Sequence, residues 1–85
     1  MHVEPLIPML NQIGAFFQAQ PNPEASTKAV ADHVRLFWEP RMRHSILAYL
    51  AQYPDGKSPE HELLPIVVTA LQTYRAELTP TQSFN

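Results

Sequence analysis

Apolar residues recur at three- and four-residue steps in four stretches of the chain, and a proline stands at the start of each stretch. This spacing places side chains on one face of an α-helix. Proline suits the first turn of a helix, where its missing N–H group costs nothing, so these prolines mark helix starts. The predicted helices run from Pro5 to about Ala19, from Pro23 to Phe37 or Trp38, from Pro40 to a turn at Tyr53, and from near Leu64 to Leu78.

These segments predict an all-α fold, a small irregular bundle of three main helices plus a C-terminal fourth helix. A chain of 85 residues is expected to form a single helical domain, 1–85, in which about 79–85 form a flexible tail. The residues predicted to face the core are Leu6, Met9, Leu10, Ile13, Phe16, Phe17, Ala29, Val30, His33, Val34, Phe37, Met42, Ile46, Tyr49, Leu50, Tyr53, Leu64, Val67, Leu71, Tyr74 and Leu78.

Two features of the first helix leave alternatives open. Phe16 and Phe17 are adjacent and therefore about 100° apart around the helix. Either both are buried in the bundle or one of them faces a partner. Gly14 costs about 1 kcal/mol relative to alanine in a helix. It is either a tolerated weak position or the place where another backbone approaches closely.

The segments between the helices carry turn and capping signals. Asn22 is predicted to cap the second helix, directly before Pro23. The sequence Pro54-Asp55-Gly56 ends the third helix, because Asp-Gly favours a turn, and a second short turn is predicted at 59–62. A stripe of alternating charge on the second helix is expected to form a solvated face and contains Glu24, Lys28, Asp32, Arg35 and Glu39.

The charge balance and the absence of cysteine exclude several functional classes. The net charge is −2 at pH 7 and the six basic residues are scattered, so nucleic-acid binding is not expected. Without cysteine the chain forms no disulfide, no thiolate zinc site and no cysteine-ligated iron–sulfur cluster. No apolar run approaches the length of a membrane span. We therefore expect a cytoplasmic protein that does not bind membranes.

No set of residues with catalytic spacing is present. The four histidines, His2, His33, His44 and His61, do not fall at metal-ligand spacing. Gly14 and Gly56 alone cannot form a glycine-rich phosphate loop. We expect no catalytic residue, no metal site and no cofactor bound by this chain, which leaves a small helical interaction module.

The segment Phe37–Arg43 (FWEPRMR) is the strongest candidate contact site. Pro40 fixes a corner between two helices there, so Trp38, Arg41 and Arg43 are presented with little entropy to lose. Tryptophan and arginine are enriched at interface hot spots. The alternative is that Trp38 fills the end of the bundle while the arginines neutralise nearby carboxylates. The candidate partner-binding residues are Trp38, Arg41, Arg43, Phe16 and Phe17.

Asn11–Phe17 (NQIGAFF), the following proline turn, Ala31–Val34 and FWEPRMR together resemble the delta subunit of the NAD-dependent, molybdenum-containing formate dehydrogenases. The similarity covers roughly Leu6 to Leu71. It implies a cofactor-free accessory subunit that binds the alpha subunit and supports its assembly or stability. In such complexes the alpha subunit carries bis-molybdopterin guanine dinucleotide and iron–sulfur clusters, and the beta and gamma subunits carry FMN and further clusters toward NAD. Two alternatives are a transient chaperone for molybdenum cofactor insertion and a free-standing helical adaptor.

Overall fold

A computed structural model describes residues 2–81. Five helices follow in chain order: α1 (Leu6–Gln18), α2 (Pro23–Phe37), α3 (Pro40–Gln52), α4 (Pro65–Thr73) and α5 (Arg75–Leu78). Within this range the β-structure is limited to a single isolated bridge between Lys57 and Glu62. The all-α prediction is therefore confirmed. Met1 and residues 82–85, which include most of the predicted tail, lie outside the described residues.

The prolines begin the helices as predicted. Pro23, Pro40 and Pro65 each occupy the first turn, and Pro5 is the residue directly before α1. Asn22 caps α2, because its Oδ1 accepts hydrogen bonds from the backbone N–H groups of Glu24 (3.0 Å) and Ala25 (3.2 Å). Such a cap satisfies N–H groups that have no partner inside the helix.

The predicted fourth helix is divided in two, so the expectation of one continuous helix to Leu78 is wrong. Tyr74 ends α4 with φ −108° and ψ 24° while its N–H still bonds to the carbonyl of Ala70. The chain therefore bends at Tyr74 without unwinding. The bend allows α5 to pack against α2 and α4 and to bury Leu78 completely.

The core lies where α2 packs against α1 and α4. Three residues predicted to face it are exposed instead, namely Met9, Phe16 and Phe37. The reason is that the buried face of each helix is rotated around the helix axis relative to the predicted face. In α1 the buried positions are Leu6, Ile7, Leu10 and Gly14, and along α2 they are Ser26, Val30, Ala31, Val34 and the capping residue Trp38. Burial of Trp38 turns its neighbour Phe37 to the solvent, since successive residues are about 100° apart.

Gly14 is a site of close packing and not a tolerated weak position. A Cβ atom built on Gly14 would lie 2.7 Å from Cγ2 of Val67 and 3.2 Å from Cγ2 of Ile66. The first distance is too short for two carbon atoms, so the absent side chain lets α4 approach α1. The close approach is made by side chains of α4.

Substitution of Gly14 by alanine is expected to lower the free energy of unfolding by about 1 kcal/mol. Alanine favours the helix by about 1 kcal/mol, but overpacking a core contact costs about 1–3 kcal/mol. Urea unfolding of the two proteins measures the difference. An increase in stability would mean that Val67 moves aside and that helix propensity decides the outcome.

Asn11 joins α1 to the segment before α4. Its Nδ2 donates to the carbonyl of Glu62 (2.8 Å), and its Oδ1 accepts from the N–H of Leu64 (2.9 Å). Leu64 is the capping residue of α4 and makes no side-chain cap of its own. Asn11 therefore positions the start of α4 from a helix more than fifty residues away in sequence.

Candidate partner-binding surface

Large apolar side chains are exposed on two neighbouring helices. Within the described residues the exposed large hydrophobic residues are Met9 (44% exposed), Phe16 (69%), Leu36 (62%) and Phe37 (71%). The first two belong to α1 and the last two to α2, and these helices pack against each other. Exposed apolar side chains that lie together are typical of protein-binding sites, and Met9 and Phe16 line one groove.

A groove of about 470 Å³ lies between the two helices. It is lined by Met9, Gln12, Ile13, Phe16, Phe17, His33 and Trp38, and we call it the apolar groove. The Phe16 and Phe17 rings meet edge to face with centroids 5.1 Å apart. Phe37 extends the surface, because its ring lies 4.9 Å from the imidazole of His33. The apolar groove therefore has aromatic walls and few polar groups.

The structure brings together three of the five predicted contact residues. Phe16, Phe17 and Trp38 line the apolar groove, although they come from different helices. Trp38 is only 5% exposed, so most of its ring belongs to the core and one part forms a wall of the groove. Phe17 is half-buried and Phe16 is exposed. The two residues differ in burial because adjacent residues are about 100° apart around the helix.

The two arginines do not line the apolar groove. Arg41 is exposed in the first turn of α3. Arg43 is half-buried and extends toward α5, where its Nη1 donates to the carbonyl of Leu78 at 3.4 Å. The Nε of Arg43 is buried without a hydrogen-bond partner. The predicted corner thus divides into an aromatic part and a cationic part.

Among residues 2–81, the lining of the apolar groove contains no aspartate, glutamate, lysine or arginine. The charged stripe of α2 instead forms an exposed network, in which Asp32 pairs with Lys28 (2.8 Å) and with Arg35 (3.7 Å). The hydrogen bond between Lys28 and Asp32 raises the pKa of the Lys28 ammonium and lowers the pKa of the Asp32 carboxyl. An occupant of the apolar groove would therefore be bound through apolar contact and shape.

A larger open hollow, about 700 Å³, lies between the N-terminal segment, α3 and the loop before α4. Its lining includes His2, His44 and His61. The Tyr49 hydroxyl at its base lies 3.0 Å from the carbonyl of Gly56 and 3.2 Å from that of His61, so it fastens the loop. Across residues 2–81, no group of three or more histidines and carboxylates is arranged to hold a metal ion.

The family profile for the NADH-dependent formate dehydrogenase delta subunit, FdsD, matches residues 5–71. The chain belongs to this delta-subunit family. The resemblance seen over Leu6 to Leu71 is thereby confirmed. No curated protein and no solved structure matches the chain significantly.

The two motifs on which the resemblance was based have distinct positions in the fold. In NQIGAFF, Asn11 and Gly14 hold α4 against α1, whereas Phe16 is exposed in the apolar groove. In FWEPRMR, Trp38 is core and Phe37 is exposed. Each motif thus combines positions that stabilise the fold with one aromatic ring that the fold leaves uncovered.

Sequence reasoning missed part of this surface. The spacing of apolar residues predicts core positions for Met9 and Phe37, but both are exposed. The helical spacing alone allowed either Phe37 or Trp38 to be buried, so the local pattern held no signal that separated them.

No described helix has the length and apolar character needed to cross a membrane.

Proposed function

We propose that this chain is a non-catalytic accessory subunit of an NAD-dependent formate dehydrogenase complex. It binds the molybdopterin-containing alpha subunit and supports the assembly or stability of that subunit. Membership in the delta-subunit family supports the association with formate dehydrogenase. The observation that carries the binding role is the apolar groove, which is lined by the exposed ring of Phe16 and flanked by the exposed ring of Phe37.

The division of labour proposed for the complex fits the composition of the chain. Bis-molybdopterin guanine dinucleotide, iron–sulfur clusters, FMN and NAD are expected in the partner subunits. This chain has no cysteine with which to hold a cluster. Its contribution is a contact surface, and it works in the cytoplasm with the enzyme.

The contact surface that we propose is the apolar groove together with Arg41. Phe16 and Phe37 lose much exposed apolar area when a partner covers them, and aromatic residues commonly dominate binding energy. Trp38 supports the groove from the core. Arg41, exposed at the start of α3, would make a polar contact at the rim.

Affinity capture with this chain as bait, from extract of its own cells, tests the association. Recovery of a large molybdopterin-binding formate dehydrogenase subunit would support the proposal. Equimolar amounts in the purified active enzyme would support a permanent subunit, whereas absence from that enzyme would support the transient chaperone. Capture of an unrelated protein would favour a helical adaptor, a role to which an exposed apolar groove is also suited.

The double substitution Phe16→Ala/Phe37→Ala is expected to weaken binding to the alpha subunit at least tenfold, because it removes two exposed aromatic contacts. The stability of the free chain should stay within about 0.5 kcal/mol of the wild type, since both rings are exposed. Titration by surface plasmon resonance and thermal unfolding measure the two effects. Gln18→Ala, an exposed change on α1, is the matched control. Unchanged affinity of the double variant would exclude the apolar groove as the contact.

A further inference from the structure

The outer face of α3 forms a second groove, beside α4 and α5. Two hollows of about 300 and 200 Å³ adjoin each other and share Leu47, Ala51 and Arg75 as lining residues. We call them together the α3–α5 groove. Among the described residues, none lines both this groove and the apolar groove. Its floor on α3 is apolar and partly formed by alanine, so another chain can approach the helix closely.

Two hydrogen bonds between distant parts of the chain border this groove. At one end Gln72 Nε2 donates to the carbonyl of Pro54 (3.1 Å). Arg43 Nη1 donates to the carbonyl of Leu78 (3.4 Å), and these two residues directly precede His44 and Thr79, which line the smaller hollow. The shape of the α3–α5 groove is therefore set by the packing of elements and not by the rotamer of one surface side chain.

The charge of the α3–α5 groove is positive. Arg75 lines both hollows, Arg43 directly precedes the lining residue His44, and none of the described residues that line the hollows carries a carboxylate. Among residues 2–81, neither arginine forms an ion pair, whereas Lys28 and Arg35 both pair with Asp32. The Nε of Arg43 is also buried without a hydrogen-bond partner. In the described part of the chain, neither guanidinium group therefore has a carboxylate within ion-pair distance.

We propose that the α3–α5 groove receives an acidic segment of a partner subunit. Carboxylates of that segment pair with Arg75 and Arg43, and its small or apolar side chains lie over Leu47 and Ala51. Arginine is well suited to carboxylate, because its planar group donates two parallel hydrogen bonds. The apolar floor favours a protein segment over a free anion. The proposal rests on the proposed function, since it assigns a second contact to the same enzyme complex.

The test uses the full chain and the formate dehydrogenase complex purified without this subunit. Arg75→Glu is expected to weaken binding about tenfold or more at low salt. The difference should narrow at about 1 M salt, where charges are screened within roughly 3 Å. Lys57→Glu makes the same change of charge at an exposed loop residue and should bind like the wild type. Arg75→Gln, which adds no negative charge, should give an intermediate loss, and thermal unfolding verifies that each variant folds.

A cross-link identifies the partner residue. In Arg75→Lys, a carbodiimide should join the introduced amine to an Asp or Glu of the partner as an amide, with net loss of water. Coupling only through Lys28 or Lys57 would overturn the assignment. Wild-type affinity in Arg75→Glu would also overturn it but leave the proposed function intact. Failure of the wild-type chain to bind the complex at all would overturn both.

Discussion

Replacing Trp38 with alanine is expected to lower the free energy of unfolding by about 3–5 kcal/mol, the range for loss of a buried aromatic side chain. Trp38 is 5% exposed and closes the corner between α2 and α3. The backbone N–H of Trp38 donates a hydrogen bond to the carbonyl of Val34 (3.0 Å), and this bond can also form in the alanine variant. The expected loss therefore comes from the cavity and from the apolar area returned to water. Since small domains have about 5–15 kcal/mol of stability in total, the variant should be close to unfolding.

Phe37→Ala is the matched control for Trp38→Ala. It removes the neighbouring aromatic ring, which is 71% exposed, and should change stability by no more than about 0.5 kcal/mol. Urea unfolding followed by circular dichroism compares both variants, because the loss of tryptophan removes the fluorescence signal. Similar effects of the two substitutions would contradict the assignment of Trp38 to the core and Phe37 to the surface.

Replacing Gly56 with alanine is expected to destabilise the fold by about 2–4 kcal/mol. Gly56 has φ +79°, a conformation that costs a residue with a side chain about 1–3 kcal/mol. A Cβ atom there would also lie 2.6 Å from Cγ2 of Val68, so the loop would have to move away from α4. Guanidinium or urea unfolding of the variant measures the sum of both effects.

The variant Gly56→Ala/Val68→Ala separates the two causes. Removal of the Val68 methyl groups relieves the steric overlap but leaves the backbone strain. The double variant should therefore be more stable than the sum of the single effects predicts, by about 1 kcal/mol. Strictly additive effects would show that the overlap with Val68 contributes nothing, which leaves the backbone conformation and the contact with Cβ of Leu63 (3.1 Å) as the causes of the loss.

Much of the fold follows from local chemistry in the sequence. Pro23, Pro40 and Pro65 begin helices because proline is suited to the first turn, and Asn22 caps α2 because its side chain reaches two free N–H groups. These effects act over a few residues and can therefore be predicted directly from the sequence. The break at Tyr74 could not be read in this way, since the bend is tied to the packing of Leu78 into the core.

The candidate site was predicted less completely, because it depends on which helices meet. The sequence placed Trp38, Arg41 and Arg43 at one corner, but Trp38 turns inward toward α1 while Arg43 extends toward α5. Phe16 joins the site only because α1 packs on α2. Contacts between elements far apart in sequence are not encoded in the spacing of apolar residues on either one.

The hydrogen bonds of Asn11 have a consequence for how the molecule opens. The N–H of Leu64 is protected by a side chain of α1, so α1 cannot detach without exposing the first turn of α4 to water. The two helices should therefore exchange their amide hydrogens as one cooperative unit, although the segment between them makes up about half of the chain. A partner bound to α1 would then also slow amide hydrogen exchange at Leu64. Hydrogen exchange at the start of α4 would therefore report binding to α1.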